Sequence, residues 1–317
     1  MEKLVDPAQM VDDTVTQIAW LYYMEGMIQE DISKLLGLSR SRVLRSLSAA
    51  RSSGLVQIRV ATRLNRCVEL ERMIEKRHGI ERAIVIPTPP DVRDTSAQIG
   101  TTLAAYVADN IHDNMKIGLG WGRTLNASLA AIPHMETRGI SIMSLLGGLT
   151  KVSGVNPSEF AWRVADRLSA ECYLLAAPVF APDQRTREAL LTHPGIQEVF
   201  ALAKHLDMAI VSAGELSPNS TITEHLLIGG EEIVSMQQRG VVGDVLCRFI
   251  DIEGNVVDIP LNKRVIAVDP VDLRSARKLV LASGGWGKYA VIRGAMKLLQ
   301  PHVLITDELV AERLALE

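Results

Sequence analysis

Apolar residues follow a helical spacing over the first sixty positions and gather into short runs from position 81 onward. In the stretch IQEDISKLLG, Ile28, Ile32, Leu35 and Leu36 fall on one helical face. Gly37 supplies a left-handed stop, and Ser39 is suited to cap the next helix. That second helix is expected to bury Val43, Leu44 and Leu47 and to end at Gly54. An earlier helix is expected from about Asp12 to Glu25, with Val15, Ile18, Ala19, Tyr22 and Tyr23 inward and Gly26 after it. LVQIRV (55–60) reads as a strand, the wing of a winged helix-turn-helix. Leu64, Cys67, Val68, Leu70, Met73 and Ile74 then form another helical stripe. It fits a linker helix, one that pairs with its own copy, or a surface helix on a second domain.

Beyond Glu81 the pattern changes character. Apolar runs stand at 83–87, 116–121, 140–147, 172–178, 208–215, 265–269, 279–283 and 303–308. Helical stretches are expected between them, near 93–112, 123–132, 156–170, 185–205, 231–239, 287–299 and 308–315. Fully apolar strands alternating with helices predict a doubly wound, mostly parallel α/β sheet covered on both faces. VVGDVLCRFIDIEGNVV breaks the rhythm, and its IEGN turn predicts an antiparallel hairpin added to the main sheet. The expected division is 1–63 for the helix-turn-helix, 64–80 for the linker helix and 81–317 for an effector domain.

Charge sharpens the reading of the front end. Between Leu38 and Arg63 there are six arginines and no acid, on a chain whose net charge is only −3. Ser39, Arg40, Ser41, Arg42 and Arg45 crowd the start of the second helix, and Arg59 lies on the expected wing. Arginine there can pair with guanine edges or phosphate, and serine with phosphate oxygens, so double-stranded operator DNA is the expected partner. Two-fold operators favour a homodimer or homotetramer. No apolar run is long enough to span a bilayer, and the polar, acidic start does not read as a secretory signal; a cytoplasmic protein without membrane contact is expected. Cys67, Cys172 and Cys247 are far apart and lack metal spacing. They read as reduced thiols, with neither metal nor cofactor expected.

Three strand ends are rich in glycine. Gly118-Leu119-Gly120-Trp121-Gly122-Arg123-Thr124 opens a helix, where backbone amides can approach an anion. SLLGGLT (144–150) gives a second turn, containing Gly148 and followed by Lys151 and Asn156. Ser283-Gly284-Gly285-Trp286-Gly287-Lys288 gives a third, with a lysine placed as an anion partner. None matches a nucleotide P-loop, and the first lacks the dinucleotide spacing. An anionic or polyhydroxy ligand at the carboxyl ends of the strands fits better. Trp121 and Trp286 could stack on a sugar, Asp244 could accept hydroxyl bonds, and Thr221 lies after a loop able to fold over a ligand.

Taken together, these residues resemble the SorC/DeoR-type sugar-binding transcriptional regulators of bacteria. The resemblance runs from IAWLYYMEGM and IQEDISKLLGLSRSRVLRSL through IGLGWGRTL, NPSEFAWRVADRL, YLLAAPVF, VVGDVLCRFIDIEG and ASGGWGKYAVIRGAM to VLITDE. It implies an N-terminal helix-turn-helix fused to a domain resembling glucosamine-6-phosphate deaminase and ribose-5-phosphate isomerase folds. It also implies control of a carbohydrate or polyol operon by a carbohydrate effector, phosphorylated or not. The family's phosphate-holding turn matches Gly122, Arg123 and Thr124, beside Gly120 and Trp121. Asp244 matches an acid that binds sugar hydroxyls, Lys288 the lysine of the last glycine turn, with Gly285 before it, and Thr221 a ligand-contacting hydroxyl. One member forms a Schiff base through a lysine near the second glycine turn; Lys151 lies close, but the role is not carried over. The alternative is an isomerase or deaminase retaining catalysis, with Asp244 or Glu215 as base. No acid–base pair is tied by spacing, and a fused DNA-binding domain favours a sensor over an enzyme.

Overall fold

A computed structural model describes residues 7–56, 65–89, 92–150, 155–218, 220–226 and 228–317. The wing strand at 55–60, Arg59 and Lys151 fall wholly or largely outside these residues. The chain divides into two compact units, Met1–Ala61 and Thr62–Glu317.

The first unit contains α1 (Pro7–Tyr23), α2 (Gln29–Leu36) and α3 (Arg40–Ser52). Ile18, Leu21, Ile32, Val43 and Leu47 form its core. Gly37 adopts φ +63°, and Leu38 N–H returns to the Ser33 carbonyl at 3.0 Å, so the chain reverses within three residues. Ser39 Oγ then accepts the Arg42 N–H at 3.3 Å and starts α3. The apolar face of this pair is narrower than its sequence suggests. Ile28, Leu35 and Leu44 stand 60%, 61% and 46% exposed, because α2 spans only two turns and Ile28 serves as its N-cap.

The second unit is built on a seven-stranded, wholly parallel sheet in the order β1-β10-β9-β5-β2-β3-β4. Its strands are β1 (Arg82–Ile86), β2 (Lys116–Leu119), β3 (Ser141–Ser144), β4 (Glu171–Tyr173), β5 (Met208–Val211), β9 (Lys278–Ala282) and β10 (Val303–Asp307). Alternate residues enter two cores. Ala83, Val85, Leu279 and Leu281 join one, and Ile84, Ile86, Val280 and Ala282 the other. Helices α5 (Val92–Asn110), α6 (Arg123–Ser128) and α7 (Pro157–Arg167) close the second face. Helices α9 (Pro194–Ala203), α11 (Gly230–Gln238), α12 (Tyr289–Leu299) and α13 (Glu308–Leu316) close the first. α8 (Gln184–Leu191) and α10 (Thr221–Leu226) complete the helices described. The stretch 185–205 is two helices, since Pro194 opens a new one capped by His193.

Helix α4 (Asn65–His78) packs on this unit. Cys67, Leu70 and Ile74 are buried, and the carboxylates of Glu71 and Glu75 accept the amides of Val85 and Ala83, each at 3.0 Å. Those amides belong to edge strand β1, so α4 satisfies a sheet edge that would otherwise be open.

Two expected strands differ. The run 265–269 is not a sheet strand; it makes single bridges, Val265 to Phe180 and Ala267 to Leu146, across the segments that follow β4 and β3. The hairpin is not added to the main sheet. It forms a separate antiparallel sheet, β6-β7-β8, from Ala213–Glu215, Gly243–Val245 and Arg248–Ile250. Its tight turn is Leu246-Cys247, at φ +51° and +61°, while the IEGN loop is organised by Asp251, which accepts the Glu253 and Asn255 amides.

Candidate functional site

After β2 the chain moves to β3 on one side of the sheet; after β5 it moves to β9 on the other. Such a reversal opens a crevice at the carboxyl ends of the strands. A cavity of about 440 Å³ lies there. Trp121, Gly122 and Arg123 enter it from the end of β2, Ser212 to Glu215 from the end of β5, and Gly284, Gly285, Gly287 and Lys288 from the end of β9. Ser96 of α5, Ser220, Thr221 of α10 and Asp244 of β7 add to the wall.

Each loop is held by defined contacts. Asp307 Oδ2 accepts the Gly285 amide, and its Oδ1 caps α13 through Val310 N–H at 3.0 Å. A Cβ at Gly284 would lie 2.7 Å from Asp307 Oδ2, so only glycine lets this turn close on the carboxylate. Ser283 Oγ donates to the Ala213 carbonyl at 3.1 Å and ties this loop to β6. Ser220 Oγ and Thr223 Oγ1 lie 2.8 Å apart, and Thr223 donates to the Ser217 carbonyl at 2.8 Å, fixing the segment that presents Thr221.

The electrostatics are mixed. Asp244 is buried, and its Oδ2 accepts the Cys247 amide at 2.9 Å across the strained turn. Loss of hydration pushes its pKa up to about 7, against the pull of that amide and of Lys288. The same burial lowers the Lys288 pKa, opposed by Glu215 and Asp244. Two acids and two cations therefore share one crevice with the hydroxyls of Ser96, Ser220 and Thr221. Neutral hydroxyls can satisfy both kinds of partner, because they donate and accept.

Of the effector residues expected from sequence, Trp121, Gly122, Arg123, Thr221, Asp244, Gly285 and Lys288 line this cavity. Gly120 and Thr124 are buried beside it and are not lining residues: Gly120 admits Leu246 Cδ2, 3.1 Å from its would-be Cβ, and Thr124 Oγ1 donates to Ser96 Oγ at 3.4 Å. Gly148 is elsewhere. Its turn follows β3, one strand beyond the reversal, and serves packing: its amide meets the Ala177 carbonyl at 2.9 Å, and a Cβ would lie 2.7 Å from Ser158 Oγ. Asn156 caps α7 through the Ser158 amide. Trp286 is 55% exposed and does not line the cavity; the Arg313 guanidinium lies 5.1 Å from its ring centroid and 3.8 Å from that of Tyr289. Helix α6 has six residues rather than the ten expected, so its dipole contributes little. Sequence reasoning missed Ser96 and Ser212, and considered Glu215 only as a base; its place at a strand's carboxyl end was the available signal.

Residues 62–315 match the family model of a sugar-binding domain. The chain belongs to the sugar-binding family of SorC/DeoR-type regulators. It is 28% identical over 305 residues to the erythritol catabolism regulatory protein EryD of Brucella abortus, covering 96% of each. It is 26% identical to the sorbitol operon regulator of Klebsiella pneumoniae, over 95% of this chain and 96% of that one. The crystal structure of full-length SorC from Klebsiella pneumoniae aligns with a TM-score of 0.72 at 26% identity, covering 96% of this chain and 99% of the other. The mostly parallel α/β sheet is thus the fold of SorC regulator structures, and the chain is a sugar-responsive transcriptional regulator rather than an enzyme. No helix among the described residues is long and apolar enough to cross a membrane.

Proposed function

We propose that this regulator binds operator DNA through α2 and α3 and releases or tightens its grip when a sugar, a polyol or a phosphate of either fills the cavity at the β2–β5 reversal. The observation that carries the reading is the cavity itself. Five separate segments bring Arg123, Thr221, Asp244, Glu215 and Lys288 to one crevice, and a polyhydroxy ligand matches that mixture of donors and acceptors. Gly122, Trp121 and Gly285 supply the close walls. Relatives named for erythritol catabolism and for the sorbitol operon make a linear polyol or its phosphate the first class to try.

The DNA-binding element is a helix-turn-helix. Arg40, Ser41, Arg42 and Arg45 are all exposed on the first turns of α3, which Ser39 caps; Arg59 on the wing is assigned from sequence. The likeness of the second unit to deaminase and isomerase folds, the winged form of the first, a homodimer or homotetramer and a cytoplasmic setting belong to the same reading. Ligand and DNA communicate by linkage: a ligand that prefers one arrangement of the protein shifts the population able to bind the operator.

A thermal-shift series with sorbitol, erythritol and their monophosphates tests the cavity. Binding to the folded state raises the melting temperature, and Lys288→Ala removes the rise while leaving the unliganded melting temperature of α1–α3 unchanged. Equal ligand shifts in wild type and Lys288→Ala would remove the cavity from the account.

A further inference from the structure

The two acids of the cavity are held in different ways. Asp244 is buried and fixed by the Cys247 amide at 2.9 Å. Glu215 ends strand β6, is half-buried, and reaches to the loop that follows β9. There its Oε2 lies over Gly287, where a Cβ would come within 2.5 Å of it. Gly287 thus leaves the space that the carboxylate occupies, in the residue adjoining Lys288. Among the charges acting on Lys288, Glu215 pulls hardest, ahead of Asp244. A phosphate brought to Lys288 would meet this carboxylate at like charge. A hydroxyl meets no such repulsion: it donates to the carboxylate and accepts from the ammonium at once.

We propose that Glu215 is a specificity residue that, with Lys288, forms a hydroxyl-reading pair. The cavity therefore takes a ligand whose Lys288 end is a neutral polyhydroxy group, and rejects one that carries a phosphate at both ends. The inference rests on the carbohydrate or polyol reading of the cavity and adds the charge class of its ligand.

Titration calorimetry on the full chain tests it, with wild type, Glu215→Gln and Glu215→Asp. The probes are sorbitol, sorbitol 6-phosphate and sorbitol 1,6-bisphosphate, and the corresponding erythritol series. Wild type prefers the monophosphate over the bisphosphate by about tenfold or more. Glu215→Gln shifts that ratio by about tenfold toward the bisphosphate, because it keeps the shape and removes the charge. Glu215→Asp, which keeps the charge, retains the wild-type order. An unchanged ratio in Glu215→Gln, or a wild type that prefers the bisphosphate, overturns the role of Glu215 and leaves the polyol reading standing. Absence of binding by every member of both series overturns the polyol reading and this inference with it.

Discussion

Replacing Asp244 by Asn should make the effector unit more stable at neutral and alkaline pH, although it removes a buried charged group. The carboxyl lies in the wall of the cavity, with one bond to the Cys247 amide and Lys288 as its cationic neighbour. These contacts do not compensate for lost hydration, and its pKa rises from 3.8 to about 7. The displacement is roughly three units, so at about 1.4 kcal/mol per unit the ionised form costs at most about 4 kcal/mol. The sign follows from proton counting. Between about pH 4 and 7 the folded chain holds a proton that the unfolded chain has released, so stability falls as pH rises through that window and then levels. Asparagine keeps the shape, accepts the Cys247 amide through Oδ1 and cannot ionise. Denaturant unfolding of both proteins from pH 4 to 9 should show a difference that grows in favour of the variant up to pH 8. A difference that is flat with pH would refute the placement of a desolvated carboxyl at Asp244.

Other perturbations follow from single contacts. Ser39→Ala removes the cap of α3 and should cost about 1 kcal/mol, read as roughly fivefold faster amide exchange in that helix; unchanged protection would show that the cap is idle. Gly284→Ala drives a methyl toward Asp307 Oδ2 and Ile99 and should destabilise the second unit by about 1–3 kcal/mol in denaturant titrations, whereas a neutral substitution would mean that the turn relaxes freely. Arg42→Ala should weaken operator binding and reduce its salt slope by about 1, as expected for one lost phosphate contact; identical slopes would place Arg42 off the DNA.

Much of this architecture is written in residue patterns. The continuous apolar runs at β1, β2, β5, β9 and β10 are buried on both faces, as fully apolar strands must be. Glycine after β2 and β9 marked two walls of the cavity because the turns there need positive φ, +116° at Gly122 and +102° at Gly285. The glycines after β3 looked the same in sequence, yet they admit Ala177, Pro178 and Ser158 rather than a ligand. Composition cannot separate the two uses; the tertiary structure does, since Gly284, Gly285 and Gly287 line the cavity and Gly147 and Gly148 do not. Trp286 misled for a related reason: it shares a loop with Lys288 but stacks outward under Arg313. The Leu246-Cys247 turn was not legible because neither residue favours positive φ, and tertiary packing at 1% and 0% exposure imposes it. Glu215 shows in sequence only its place at the end of an apolar run; the fold brings it over Gly287.

The central claim is that one chain couples a polyol-sized cavity to DNA. Fluorescence anisotropy with DNA from upstream of the protein's own operon measures that coupling directly, with sorbitol, erythritol or their phosphates as titrants. One of these ligands is predicted to change the operator Kd by about tenfold, and Lys288→Ala to bind the same DNA without responding. An operator affinity that no ligand of this class alters, or a Lys288→Ala protein that responds like wild type, would contradict the account.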